Sequence, residues 1–435
     1  MTARARDAGM RRTVSWKPLL EGAEREAALR VVGHILEDLP RFPVQGPLAA
    51  SLMRGQTGLA ILFAYHARAF PGSPSADKAE ALLEEATEAL ATTTLLPDLY
   101  DGFPGIAWAL QHVRGTPESP DEDPLTDIDA ALAEFLQTRP WTHRYDLVSG
   151  LAGLGAYALE RLPRPGARQC LEQVVARLGE LAEPVEDGVR WKTPPWHIAE
   201  EARAHYPQGG FNLGVAHGIP AVLGVLAEAV AAGVAEPSAR KLLQGGWTWL
   251  MRQRAPDDAA ARFPTRLDAN GEPHGWPGRP AWCYGDPGIA LTLHGIARAV
   301  GNADWEREAL ALCRESVERW SRTELVRDAC LCHGAAGLAH LYNRLFQTTG
   351  ERIFEDAARR WLHHALSLRK PDVGIGGFQT LESAPGGGEE WTDLPGLLAG
   401  ATGIALVLLA VATPVEPGWD RLLLMSPPPF APARS

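Results

Sequence analysis

Cysteine is scarce in this chain, basic charge is in deficit, and no apolar stretch runs uninterrupted for the length of a bilayer. Five cysteines (Cys170, Cys283, Cys313, Cys330 and Cys332) in 435 residues make no disulfide framework. In a reducing compartment such residues are core, metal ligands or nucleophiles. Lys and Arg total 42 against 53 Asp and Glu, a net charge of -11, and no local basic patch offsets the deficit. Nucleic acid and anionic membranes are therefore not expected partners. The longest uncharged stretch, Leu394 to Val415, is broken by Pro395, Gly396, Gly400 and Gly403, so it is not expected to span a membrane. The Arg residues of Met1 to Ser15 precede no apolar segment, which argues against a secretory signal and for a cytoplasmic location. Sustained period-two alternation is absent too, and the expected class is all-α.

What the chain does have is apolar material and a repeat. A hydrophobic fraction of 46% with 22% charged residues suits a globular protein with a large core. Seven times a Gly is followed three residues later by Gly or Ala and then by an apolar helical run. The turns are Gly55–Gly58, Gly102–Gly105, Gly150–Gly153, Gly218–Ala221, Gly285–Gly288, Gly334–Gly337 and Gly400–Gly403. Their first glycines are 47, 48, 68, 67, 49 and 66 residues apart, so the base period grows by an insertion in three places. Insertions of this kind collect on one face of a repeat protein.

The nearly uncharged helices after the turns read as buried, and the amphipathic helices between them as half-exposed. Such pairs cannot cover their own apolar faces and must stack on neighbours. The expectation is an (α/α)7 double-ring toroid of seven inner and seven outer helices, a single unit over residues 24–415. Insertions fall near 183–216, 254–282 and 369–399, with an N-terminal extension over 1–23 and a C-terminal tail over 416–435. Glycine at the turns is explained by permitted backbone angles and close helix approach. The residues before each turn then share one end of the ring.

Three of those positions carry metal-ligand chemistry. Cys283 lies two residues before the fifth turn, Cys332 two before the sixth, and His333 one before the sixth. Two sulfurs and an imidazole from adjacent repeats suit one Zn²⁺ per chain and leave its fourth position open. The plain alternative is that the two cysteines are small buried hydrophobes. Cys330 breaks the positional equivalence, and Cys170 and Cys313 fall on outer helices as packing. His217, directly before the fourth turn, is a candidate general acid or base, or a fourth ligand. Asp146, four residues before the third turn, is placed to orient His217 or to cap a helix. Arg279 is a candidate oxyanion contact in the insertion before Cys283, and Tyr284 and Trp282 flank the ligand. His143, His205 and His274 carry no positional argument and are left as surface residues.

With these turns, Tyr145–Gly153, Asn212–Pro220, Trp282–Gly285 and Cys332–Gly334 taken in order, the chain resembles the LanC family of lanthionine synthetases from about Arg54 to the last inner helix. The resemblance implies Zn²⁺ held by Cys283, Cys332 and His333. It implies cyclisation of a dehydrated precursor peptide with a leader: a peptide cysteine adds to dehydroalanine or dehydrobutyrine and closes a lanthionine or methyllanthionine ring. It further implies His217 as the acid, Asp146 as its support and Tyr284 as a second-tier candidate. A separate dehydratase, and an exporter, are the implied partners, because the toroid takes up the chain. The fourth turn departs from the pattern in ending at Ala221. Competing readings are addition of glutathione or another small thiol to dehydrated residues, and a non-catalytic peptide-binding scaffold. A carbohydrate-active toroid is a further reading, but such toroids depend on paired carboxylates at the mouth, and here only Asp101 and Asp146 offer themselves.

Overall fold

The computed structural model describes residues 16–427 apart from 118, 120, 121, 187, 275–277, 385 and 386. Met1–Ser15 of the expected extension and residues 428–435 of the expected tail lie outside the described residues. Among the described residues the first helix is an outer one, α1 (Gly22–Asp38), after which inner alternates with outer: α2 (Gln56–Ala69), α3 (Ser75–Thr92), α4 (Phe103–Arg114), α5 (Thr126–Phe135), α6 (Leu151–Arg161) and α7 (Pro165–Leu181). A single-turn helix, α8 (Glu200–Arg203), interrupts the alternation inside the first insertion. It resumes with α9 (Ile219–Ala231), α10 (Glu236–Arg252), α11 (Asp286–Val300), α12 (Ala303–Arg319), α13 (Ala335–Thr349), α14 (Arg352–Ser367) and α15 (Ala401–Ala412).

Burial follows the sequence pattern. All 12 residues of inner helix α15 are buried, as an all-round apolar helix requires. Outer helix α14 buries Phe354, Ala357, Ala358, Trp361, Leu362 and Ala365, one stripe at helical spacing, and leaves the rest half-buried or exposed. Each inner helix packs on the next, from α2 through α4, α6, α9, α11 and α13 to α15, and α15 packs back on α2, so the inner ring closes. Helix α1 completes the outer ring by covering α15. Leu19 and Leu20 give their backbone N–H groups to Val411 O at 2.8 and 2.9 Å, and Trp16 Nε1 donates to Ala410 O at 2.7 Å. The first outer helix of the chain is thus the partner of the last inner one. Among the described residues no helix is long and apolar enough to cross a membrane.

A belt of backbone hydrogen bonds ties the seven turns together. Met53 N donates to Tyr100 O (2.9 Å), Tyr100 N to Val148 O (3.4 Å), Leu147 N to Ala216 O (3.2 Å) and Ala216 N to Cys283 O (3.3 Å). Cys283 N then donates to Cys332 O (3.3 Å), Cys332 N to Leu398 O (2.8 Å), and Leu397 N to Met53 O (2.7 Å), which closes the circle. The belt passes through the residue two before each first glycine. It fixes the N-termini of all seven inner helices at one end of the ring, where their partial positive charges favour anions.

The glycines serve the belt through size more than through backbone angle. Six of the seven first glycines have φ between -100° and -141°, open to any residue. Only Gly285, at φ +127°, needs glycine's conformational freedom. A Cβ on Gly337 would collide with Leu331 O and one on Gly403 with Leu397 O, both of them belt-loop carbonyls.

The three insertions hold short strands that lie below the reach of a period-two reading. Strands β1 (Ala182–Val185) and β2 (Gly188–Trp191) form one hairpin, and β6 (Thr380–Ser383) and β7 (Glu389–Thr392) another. Between them, β3 (Gly210–Asn212) pairs with β4 (Arg266–Asp268), which pairs with β5 (Pro273–His274), so one small sheet joins the first insertion to the second. A further departure concerns residues after 415. Trp419, Asp420, Leu422 and Leu423 are fully buried. Tyr100 Oη donates to Leu422 O at 2.8 Å and Trp282 Nε1 to Leu423 O at 3.0 Å, so this segment fills the ring beneath the belt. A segment expected as tail is core, because an apolar ring interior of this width needs filling.

Candidate functional site

Because Cys283 and Cys332 occupy neighbouring belt positions, their sulfurs meet. Cys283, Cys332 and His333 offer ligand atoms that all lie within 4.8 Å of one another. Tetrahedral coordination at usual Zn–S and Zn–N lengths places such donors about 3.5–3.8 Å apart, so the set fits a zinc-sized ion with little movement. The donors are also right in kind, two soft sulfurs and an imidazole at the N-termini of α11 and α13. Of the two thiols, Cys283 ionises first. A hydrogen bond from Cys332, with His333 and Arg279 beside it, holds Cys283 well below the usual thiol range against the opposing effect of burial. The same bond, with burial, pushes Cys332 well above that range.

One belt position further round stands a His–Asp pair. His217 Nδ1 is 3.0 Å from Asp146 Oδ2. Asp146 Oδ1 accepts from Ser149 N at 2.8 Å. One oxygen shapes the third turn and the other meets the imidazole, while the start of α6 takes no side-chain cap. The Asp146 side chain is 5% exposed and that of His217 39%, so the support is buried and the imidazole faces solvent. Bonding Nδ1 to a carboxylate sets the ring's orientation and leaves Nε2 for other work.

Tyr284 joins the two halves. Its ring lies 6.4 Å from that of His217, and its hydroxyl accepts from Asn212 Nδ2 at 2.8 Å, with Arg266 NH2 at 3.5 Å. Asn212 and Arg266 are register partners across β3 and β4. Gly214 has no side chain because a Cβ there would strike the Tyr284 ring. Arg279, four residues before Cys283 and between the buried Gly278 and Pro280, donates from NH2 to Cys283 Sγ at 3.5 Å. Its contact in this structure is therefore the sulfur.

Asp146, His217, Arg279, Cys283, Tyr284, Cys332 and His333, singled out in the sequence, all fall at one end of the ring, linked through the contacts above. Trp282 is buried under the belt. Cys170 and Cys313 are buried on outer helices, with the Cys170 thiol pushed up to about 12 by burial. His143, His205 and His274 are exposed. Sequence reasoning missed Asn212, Gly214, Arg266 and Asp328. Asn212 and Gly214 stood inside a motif used for recognition. Arg266 and Asp328 sit in segments with no positional equivalence to other repeats, so nothing local marked them.

Residues 46–424 match the lanthionine synthetase C-like protein family. Among solved structures, nisin cyclase superposes with a TM-score of 0.71 at 19% identity, over 93% of this chain and 98% of that one, which shows the shared fold. A sugar epimerase from a ruminal bacterium aligns over 89% of this chain and 98% of that one at 10% identity, with a TM-score of only 0.45. A match over most of its length settles the family: this chain is a lanthionine synthetase C-like protein.

Proposed function

We propose that the protein is a zinc-dependent lanthipeptide cyclase, closing lanthionine and methyllanthionine rings in a dehydrated precursor peptide that carries a leader. The peptide is prepared by a separate dehydratase. The observation that carries this reading is the placement of Cys283, Cys332 and His333 on the same belt as the Asp146–His217 pair. Two half-sites, one for a thiol and one for a proton, stand at one mouth.

Cys283, Cys332 and His333 would hold the zinc, which when bound would supply deprotonation of the incoming peptide thiol. Arg279 keeps the charge on Cys283 in check with one N–H, and its remaining donors stabilise the oxygen that gains charge as the thiolate adds to the dehydroamino acid. His217 then delivers the Nε2 proton to the α-carbon of the enolate. Asp146 holds the imidazole in the orientation this transfer needs. Tyr284, fixed by Asn212 and Arg266, walls the space between the proton donor and the ligands.

Mass and thiol content of the peptide test the proposal together. Incubation of the purified protein with a dehydrated precursor should remove alkylatable thiols while leaving the peptide mass unchanged, since cyclisation is an isomerisation. Persistence of every free thiol would contradict the assignment. A mass gain equal to an added small thiol would point to the glutathione-type reaction instead.

A further inference from the structure

One buried carboxylate beside the ligands has no part in the chemistry above. Asp328 precedes Gly334 by six residues and is 5% exposed. Its Oδ2 lies 3.6 Å from His333 Nε2, a small ring rotation outside hydrogen-bond range. Asp328, Cys330 and His333 form a second donor cluster within 4.8 Å that shares only His333 with the first.

The carboxylate is locked by its surroundings. Oδ1 accepts from Cys330 N and Oδ2 from Leu381 N, each at 3.3 Å, and Asp328 O accepts from Ala335 N at 3.0 Å. A Cβ on Gly334 would lie 2.5 Å from Oδ1, so the carboxylate packs where only glycine leaves room for it. Leu381 belongs to β6, and the bond therefore ties the third insertion to the ligand loop.

An imidazole that ligates a metal through one nitrogen carries a proton on the other, and a fixed carboxylate that takes this N–H sets tautomer and ring plane. With Nε2 turned to Asp328, Nδ1 is the nitrogen left for the ion. We infer that Asp328 is a positioning residue of the metal centre: it takes the Nε2–H of His333 and presents the opposite nitrogen toward Cys283 and Cys332. This rests on the zinc reading of the site. It also assigns the third insertion a structural task, since β6 helps to hold the carboxylate.

The test is zinc affinity of the full-length chain, measured by competition with a chromophoric chelator, for wild type, Asp328→Asn and Asp328→Glu. Wild type should take up one zinc. Asp328→Asn, which keeps an acceptor for one backbone N–H, should bind about 10–100-fold more weakly, and Asp328→Glu should recover part of the loss. Ligand-field bands of the Co²⁺-loaded Asn variant should shift, a change that loss of fold stability alone does not produce. Wild-type affinity and bands in a folded Asn variant would overturn the inference and leave the zinc reading standing. Complete loss of stoichiometric binding in a folded Asn variant would also overturn it, by making Asp328 a ligand. Should Asp328→Asn fail to fold, the Glu variant decides: its carboxylate is displaced by one methylene, and unshifted Co²⁺ bands there would overturn the inference. A wild type that takes up no zinc removes the zinc reading and this inference together.

Discussion

Two of the His–Asp pairs of the ring stand in opposite settings. At the mouth, His217 meets Asp146 at 3.0 Å with the His side chain 39% exposed. In the filled interior, His340 meets Asp420 at 2.7 Å with both side chains at 0%. The interior histidine stacks on Trp419 at 4.7 Å, and Arg344 Nε donates to the same aspartate oxygen at 2.5 Å. A His–Asp pair sealed among tryptophans, its carboxylate satisfied by a guanidinium, is a rivet. Each histidine keeps one ring nitrogen without a protein partner among the described residues, but His340 Nδ1 is buried whereas the imidazole at the mouth reaches solvent, as the proposed proton transfer requires. Exposure, more than identity of the residues, separates the structural pair from the one proposed to transfer a proton.

Variants at the two ends should fail in different ways. The largest effect is expected from Cys332→Ala, which removes a ligand: zinc content should fall to background and cyclisation become undetectable, while the melting curve of the fold changes modestly. His217→Ala should lower the cyclisation rate about 10²–10⁴-fold, with zinc content and melting temperature unchanged. Retained rate in that variant would move the proton-donor role elsewhere, Tyr284 being the next residue to substitute.

The interior pair should show the reverse pattern. Asp420→Ala strands Arg344 and His340 in a dry interior and should cost about 3–5 kcal/mol of stability, read by chemical denaturation, while the folded fraction keeps its zinc. Burial opposes ionisation of Asp420, but Arg344 and His340 overcome it and hold its carboxyl well below the usual carboxylate range. A group depressed on folding contributes stability fully above its unfolded pKa and loses it as pH falls through the folded value. Wild-type stability should therefore decline below about pH 4, with a shallower acid limb in Asp420→Asn. An identical acid limb would deny the interior pair this role.

The smallest effect tests the glycine argument. At the fourth turn Ala221 stands where the other turns have Gly, so room for a Cβ exists there already. Ala221→Gly should destabilise by about 0.5–1 kcal/mol through backbone entropy. Gly337→Ala, which drives a Cβ into Leu331 O, should cost more than that. Equal costs would mean that the belt does not depend on close approach.

The repeat made much of this legible in advance. Spaced glycines and apolar runs revealed the seven inner helices, and positional equivalence of Cys283 with Cys332 brought the donors of the mouth into one set. Three features were hidden for physical reasons. The backbone belt is made of long-range bonds between loops, which leave no local periodicity. The strands run two to four residues, too short for an alternation to register. The filling of the ring by Trp419, Leu422 and Leu423 depends on the width of a cavity that exists only once the ring has closed. Arg279 illustrates the same limit at the site, where its nearest partner is the sulfur of Cys283, a contact that loop conformation decides.

The most direct test of the account is the metal content of protein purified without chelators, wild type beside Cys283→Ala and Cys332→Ala. The account predicts one zinc per wild-type chain and none in either variant. A well-folded wild type devoid of zinc, or variants that keep it, would contradict the metal centre on which thiol activation depends.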